Sequence, residues 1–294
     1  FNEINKLKYI SKIEISKAGF INIFFKNDFI CQKLKEIFKN PTTYGENTNG
    51  KNKKINIEFV SANPTGPMHV GHCRGAIFGD VLSNLLKFNG NKVTKEFYVN
   101  DYGKQVDDFV RSVFFRLREI KFKEDFPNEK NLYPGKYITD IAKEIFKRKK
   151  KIDLKNYQKI YKFLKDESIK SSMALIKSDL KKLGINHDYF FYETKLVKEN
   201  LVNKTVNKLK KNKFVVEGFL DPPKGEPDTD WKKTKRLIFK STLFGDDLDR
   251  ALKKNDGSWT YFANDMAYHS TKISKKYNHL INVLGADHTG YIKR

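Results

Sequence analysis

Two cysteines in 294 residues, Cys31 and Cys73, are too few for a disulfide framework, and free thiols fit a reducing compartment. Long apolar runs are missing too. Those within FINIFF (20–25) fall far short of the roughly 20 residues that span a bilayer, so no membrane segment is expected. The chain opens on Phe1 and lacks the basic start, apolar middle and small-residue end of a signal peptide. Its start therefore reads as internal to a longer gene, with the cytoplasm as the expected compartment. There is no internal repeat. Acidic side chains are scarce beside basic ones, 35 against 58, and the net charge is +23. Such a charge favours polyanions such as RNA, because each neutralised phosphate releases counterions. The lysines, however, are spread through every segment among many Asn, Ile and Phe, as compositional drift would also leave them. Charge alone leaves a nucleic-acid partner open.

What is present is a globular composition, 39 % hydrophobic and 14 % aromatic, with length for about two domains. KIEISKAGFINIFF (12–25) alternates apolar and polar residues around a turn at Ala18-Gly19, which predicts a hairpin. Ile30, Leu34, Ile37 and Phe38 then recur at helical spacing. Together, residues 1–40 read as the end of a small α+β unit. Residues 41–53, rich in Asn, Gly, Thr and Lys, read as a linker. INIEFVS (55–61) predicts a strand with Ile55, Ile57 and Phe59 on one face, and a helix follows from Val70 to the stop at Asn89-Gly90. KVTKEFYVND (92–101) is again strand-like. Strand, helix, strand implies a βαβ unit and a parallel sheet. The fold class is α/β: a Rossmann-like parallel-sheet catalytic domain over 54–294, in halves of about 54–103 and 214–294, around a mostly helical insertion of about 104–213. The second half is expected to hold FVVEGFL, RLIFKSTLF, a turn at Asn255-Asp256-Gly257, a helix through Met266 and the strand LINVLGA.

PTGPMHVGH (64–72) stands where the first strand gives way to its helix. In an open parallel sheet that is where a helix N-terminus offers free N–H groups and a positive dipole to phosphate. Gly66 and Gly71 allow close backbone approach, Pro64 and Pro67 stiffen the turn, and His69 and His72 can donate to phosphate oxygens. No proton needs to be abstracted; the task is to stabilise charge on a phosphoryl group in transfer. The same histidines with Cys73 could ligate a metal, though no further ligand stands at zinc-like spacing, or could be plain helix-start residues. Asp265 alone reads as a solvated helix position, and Glu58 as a polar strand face.

IEFVSANPTGPMHVGHCRGAIFGDVLSNLL, followed by YVNDYGKQVDDF, resembles the class I aminoacyl-tRNA synthetases, and among them the arginyl-tRNA synthetases of bacterial type. His69-Val70-Gly71-His72 matches the HIGH motif of that family. KAGFINIFF resembles the close of its N-terminal additive domain, STLFGDDLDRALKKNDGSWTYFANDMAYH its second active-site segment, and LINVLGADHTGYIKR the strand and loop beyond. The resemblance covers nearly the whole chain and is weakest in the helical insertion.

It implies ATP and Mg²⁺, L-arginine and tRNA(Arg) as ligands and partners, no membrane, and a monomer. It also implies arginyl-adenylate formation followed by transfer to the tRNA's 3′-terminal adenosine. ATP would lie on residues 64–72: Pro64, Thr65, Gly66, Pro67, Met68, His69, Val70, Gly71 and His72, with His69 and His72 catalytic. Arginine would be held by Glu58, Asn63, Glu193, Tyr261, Asp265 and His288, with Tyr261, Asp265 and Glu193 at the guanidinium, which needs carboxylates and acceptors. Lys272-Ile273-Ser274-Lys275 looks like the family's KMSKS loop, but it precedes the strand that the loop should follow, so its lysines read as a solvated face. Gly66 stands where some members carry a phosphate lysine. That lysine and the anticodon-binding domain are then expected beyond Arg294. Rival readings are a small-molecule adenylate-forming ligase with an HxGH motif and a catalytically incomplete RNA-binding paralogue.

Overall fold

The computed structural model describes residues 4, 6–220 and 234–286. The predicted hairpin forms: β1 (Ile10–Ile15) pairs antiparallel with β2 (Ile21–Phe25), Ile13 opposite Ile23, and Gly19 at φ +84° supplies the left-handed turn residue. Helix α1 (Asn27–Lys39) follows, and the Phe29 ring stacks on Tyr9 at 4.8 Å. No residue of α1 is buried; Ile30, Leu34 and Phe38 all face outward.

The main sheet is parallel, in the order β5-β4-β3-β9: β3 (Lys54–Glu58), β4 (Lys92–Val99), β5 (Tyr189–Tyr192) and β9 (His279–Asn282). β3 lies between its sequence successor β4 and the distant β9. The order in which strands are added thus reverses beside β3, the switch point at which a parallel sheet leaves a crevice at the strands' carboxyl ends. Helix α2 (Val70–Phe88) starts there and packs back on the sheet through a narrow face of Ala76, Gly79 and Ser83. A Cβ at Gly79 would lie 2.3 Å from Phe59 Cγ, so glycine permits this close helix-to-strand approach. The wider apolar stripe of Ile77, Val81 and Leu85 faces outward instead.

Helices α3 (Lys104–Phe122), α4 (Lys136–Arg148) and α5 (Tyr157–Lys182) form the expected helical block. Phe109, Leu117, Ile138, Leu164 and Ile176 are fully buried in the core this block shares with Phe97 of β4. Burying each such side chain contributes roughly 1.5–3 kcal/mol. The sequence reading treats 104–213 as mostly helical and does not single out β5, which joins the main sheet. A four-residue aromatic run, YFFY, carries no periodicity that separates strand from buried helix.

Two short helices, α6 (Thr194–Lys198) and α7 (Leu201–Lys211), lead into a second sheet. Its strands β6 (Val215–Gly218), β7 (Arg236–Phe239) and β8 (Arg250–Ala251) are antiparallel, so they add nothing to the parallel sheet. The turn predicted at 255–257 forms, with Gly257 at φ +80° and Lys254 N–H donating to the Ser258 carbonyl at 2.8 Å. Helix α8 (Tyr261–Ser274), capped by Thr260, returns the chain to β9. No helix of the described residues is long and apolar enough to cross a membrane.

Candidate active site

Period-two alternation in β3 sends Ile55 and Ile57 into one core and turns Asn56 and Glu58 to the other face. Just beyond the strand, Val60 and Ser61 hold φ of +70° and +43°. A β-branched residue in that region is strained, and such strain persists where the surroundings over-determine it. Here the Ser61 hydroxyl accepts from Tyr98 N–H at 3.1 Å and donates to Glu58 Oε1 at 3.2 Å.

The PTGPMHVGH loop is pinned from the helical block: Tyr137 donates from its hydroxyl to the Thr65 carbonyl at 3.0 Å. A Cβ at Gly66 would meet that hydroxyl at 3.3 Å. His69 caps α2 and stacks on His72, with ring centroids 3.7 Å apart. The His69 backbone N–H donates to His72 Nδ1 at 3.2 Å. An acceptor Nδ1 places the proton of the neutral ring on Nε2, ready to donate. Desolvation, then the neighbouring His69, pushes the His72 pKa down, which favours that neutral form. Asn63 donates from Nδ2 to Gln105 Oε1 at 3.0 Å.

A second group gathers where β4 and β5 end beside α8. Glu193 is buried at the end of β5; its Oε1 accepts from Asn264 Nδ2 at 3.1 Å, and Tyr98 bonds to it through its hydroxyl. The Asn100 amide, oriented with its nitrogen toward Glu193, donates to Oε2 at 2.7 Å. Burial first, then the charges of Asp101 and Asp265, push the Glu193 carboxyl up to about 7 against the pull of those hydrogen bonds. Asp101 fixes the segment by accepting from Thr194 N–H at 2.8 Å and Thr194 Oγ1 at 2.7 Å. Asp265 is exposed on α8, close enough to Tyr98 and Glu193 to raise both pKa values. Tyr261, one turn earlier, is exposed as well. The result is an acidic, donor-and-acceptor-rich corner suited to a planar cation.

Of the expected arginine ligands, Glu193 and Asp265 come together, Glu58 joins them through the Tyr98–Ser61 chain, and Tyr261 lies one turn from Asp265. Asn63 pairs instead with Gln105. His288 lies outside the described residues. The sequence reading missed Tyr98, Asn264, Tyr268, Lys272 and Glu96. The signal for three of them was the four-residue spacing of Asn264, Tyr268 and Lys272 along one ridge of α8. The assignment of the 272–275 lysines to a solvated face fails at Lys272. That residue is fully buried, and its Nζ lies 2.5 Å from Glu58 Oε2. Among the described residues no three His, Cys, Asp or Glu side chains gather as a metal site.

Residues 33–294 match the family described as tRNA synthetases class I (R), catalytic domain. The chain is 53 % identical over 99 % of its length to an arginine–tRNA ligase of Pelagibacter ubique, covering 50 % of that protein. It is 46 % identical over 97 % of its length to the arginine–tRNA ligase of Wolbachia pipientis, again covering 50 % of it. It thus spans about half the length of the curated relatives it matches. A Campylobacter jejuni crystal structure described as an arginyl-tRNA synthetase superposes with a TM-score of 0.77 at 32 % identity, over 92 % of this chain and 56 % of that one. With an α2 N-terminus carrying HVGH in the crevice beside β3, and a family match over most of its length, the chain belongs to the class I arginyl-tRNA synthetases.

Proposed function

We propose that the protein containing this chain is an arginine–tRNA ligase, activating L-arginine with ATP and passing it to the 3′-terminal adenosine of tRNA(Arg). The observation that carries this is the acidic corner of Glu193 and Asp265 beside Tyr98, at the carboxyl end of the same parallel sheet from which the helix start bearing His69 and His72 follows. In the first step a carboxylate oxygen of arginine attacks the α-phosphorus of ATP. The bond to the bridging oxygen breaks, and pyrophosphate leaves with its electron pair. His72 Nε2–H, His69 and the free N–H groups of α2 would stabilise the charge on the phosphoryl oxygens. Pro64, Thr65, Gly66, Pro67, Met68, Val70 and Gly71 would form the bed on which ATP lies. Glu193, Asp265 and Tyr261 would hold the guanidinium, and Glu58, Asn63 and His288 the amino-acid end. In the second step the 2′-hydroxyl oxygen of the terminal adenosine attacks the arginyl carbonyl, the bond from that carbon to the phosphate oxygen breaks, AMP leaves with the electron pair, and the hydroxyl proton passes to the departing phosphate.

Mg²⁺ would arrive on the ATP phosphates, since the described side chains build no cage for it and this ion characteristically keeps few protein ligands. The protein is read as a cytoplasmic monomer. Arginine-dependent exchange of pyrophosphate into ATP, with and without tRNA, tests the activity. Exchange with arginine is the expected result; exchange with a different acid would favour a small-molecule ligase, and none under either condition an RNA-binding paralogue.

A further inference from the structure

Parallel register sets three side chains in a row across the sheet: Glu96 on β4, Glu58 on β3 and Asn282 on β9. Two carboxyl groups side by side repel, so neighbours must compensate. They do so incompletely. Lys272 donates from Nζ to Glu58 Oε2 at 2.5 Å and to Asn282 Oδ1 at 3.2 Å. Asn56 donates from Nδ2 to Glu96 Oε2 at 2.6 Å. The Tyr268 hydroxyl sits 2.9 Å from both Glu58 Oε2 and Glu96 Oε1. Burial first, then the two glutamates, holds its pKa far above the ordinary phenol range, so it has one proton for two partners. Among the described residues Lys272 is the one cation bonded to either glutamate. Two carboxyls against one ammonium leave the buried row one positive charge short.

The open acceptor is Glu58 Oε1. Among the described residues its sole partner is the Ser61 hydroxyl at 3.2 Å, and the Glu58 side chain is 14 % exposed, whereas Glu96 and Lys272 are fully buried. We propose that Glu96 and Lys272 are positioning residues for the amino-acid substrate. Lys272 ties down one oxygen of Glu58 and presents the other, while Glu96 supplies the uncompensated charge that the substrate's α-ammonium fills. The identity of the ligand rests on the arginine-ligase reading above.

Glu96→Gln tests this in the whole protein. The substitution keeps the shape, and the Asn56 Oδ1, which has no partner, can turn to accept from the new amide. Affinity for arginine should fall about tenfold or more, the range of a charge-assisted hydrogen bond. Inhibition by δ-guanidinovalerate, which is arginine without its α-ammonium, should change less than about twofold. Equal losses for both compounds would mean a merely structural role and would overturn the proposal, as would no change in either. If the wild-type protein binds neither, the arginine reading fails; if it binds both and the variant departs from this pattern, only the positioning roles fail.

Discussion

The imidazoles of His69 and His72 stack 3.7 Å apart at the first turn of α2, with His72 Nδ1 occupied by the His69 backbone N–H. That contact fixes which nitrogen of His72 can serve a ligand. His72→Ala should lower the rate of arginine-dependent pyrophosphate exchange by about 100-fold, as loss of a transition-state donor does elsewhere, with little change in the KM for arginine. A rise in KM at constant kcat would show that His72 serves ground-state binding instead.

Glu193 gives arginine binding a pH dependence. A guanidinium prefers the ionised carboxylate, and in the free protein that group titrates at about 7. Below that pH the ionised fraction falls tenfold per unit, so arginine should bind progressively more weakly as pH drops from 7 toward 5, with a proton released on binding. Glu193→Gln should abolish the slope and bind weakly throughout. Calorimetric titration in buffers of different ionisation enthalpy reads both the affinity and the proton release.

The same group affects stability in a defined direction. Its folded-state pKa is raised above the roughly 4.3 of an unfolded chain, so the native state binds more protons between those values. The associated stability is present below about pH 4.3 and is lost as pH rises through 7.

Gly79 predicts a packing cost. Gly79→Ala would set a Cβ 2.3 Å from the Phe59 ring, and Phe59 is fully buried between β3 and α2. The ring cannot swing into solvent, so the helix must lift from the sheet. Overpacking of this kind costs about 1–3 kcal/mol, to be seen as a lower denaturant midpoint. Phe59→Leu in the same chain should recover part of it. An unchanged midpoint for the single variant would contradict the geometry.

The sequence made much of this legible because its signals are local. The Ile55–Ile57–Phe59 alternation, the glycine turns at Gly19 and Gly257, and the helix start at HVGH each depend on neighbours a few residues away. What it hid depends on partners far along the chain. Lys272 looked like one of many solvated lysines until β9 and α8 brought it against Glu58, 214 residues away. YFFY likewise becomes a strand only because β4 offers it a parallel edge, and on α2 small residues, not the large apolar ones, meet the sheet. Family resemblance supplied the pairing of Glu193 with Asp265; spacing alone could not.

His187 sets the acid limit of the fold. Its ring lies 4.2 Å from Phe59, 5.3 Å from Phe97 and 5.7 Å from Phe190, centroid to centroid, and among the described residues neither ring nitrogen makes a hydrogen bond of good geometry, the Phe59 backbone offering only a poorly aligned one. Burial is the largest influence on it, only partly offset by the Phe59 backbone and by Asp188 and Asp80, while Lys95 works with the burial; its pKa drops to about 4. The unfolded chain, with a value near 6.5, binds the proton first. Stability from the neutral ring is therefore whole above about pH 6.5 and lost as pH falls through 4, up to about 3 kcal/mol in all. His187→Phe, close in shape and unable to ionise, should flatten the denaturant midpoint between pH 6.5 and 4 relative to the wild type. If both proteins lose stability in parallel over that window, the titration belongs to other groups and the histidine is not the acid-sensitive element of the core.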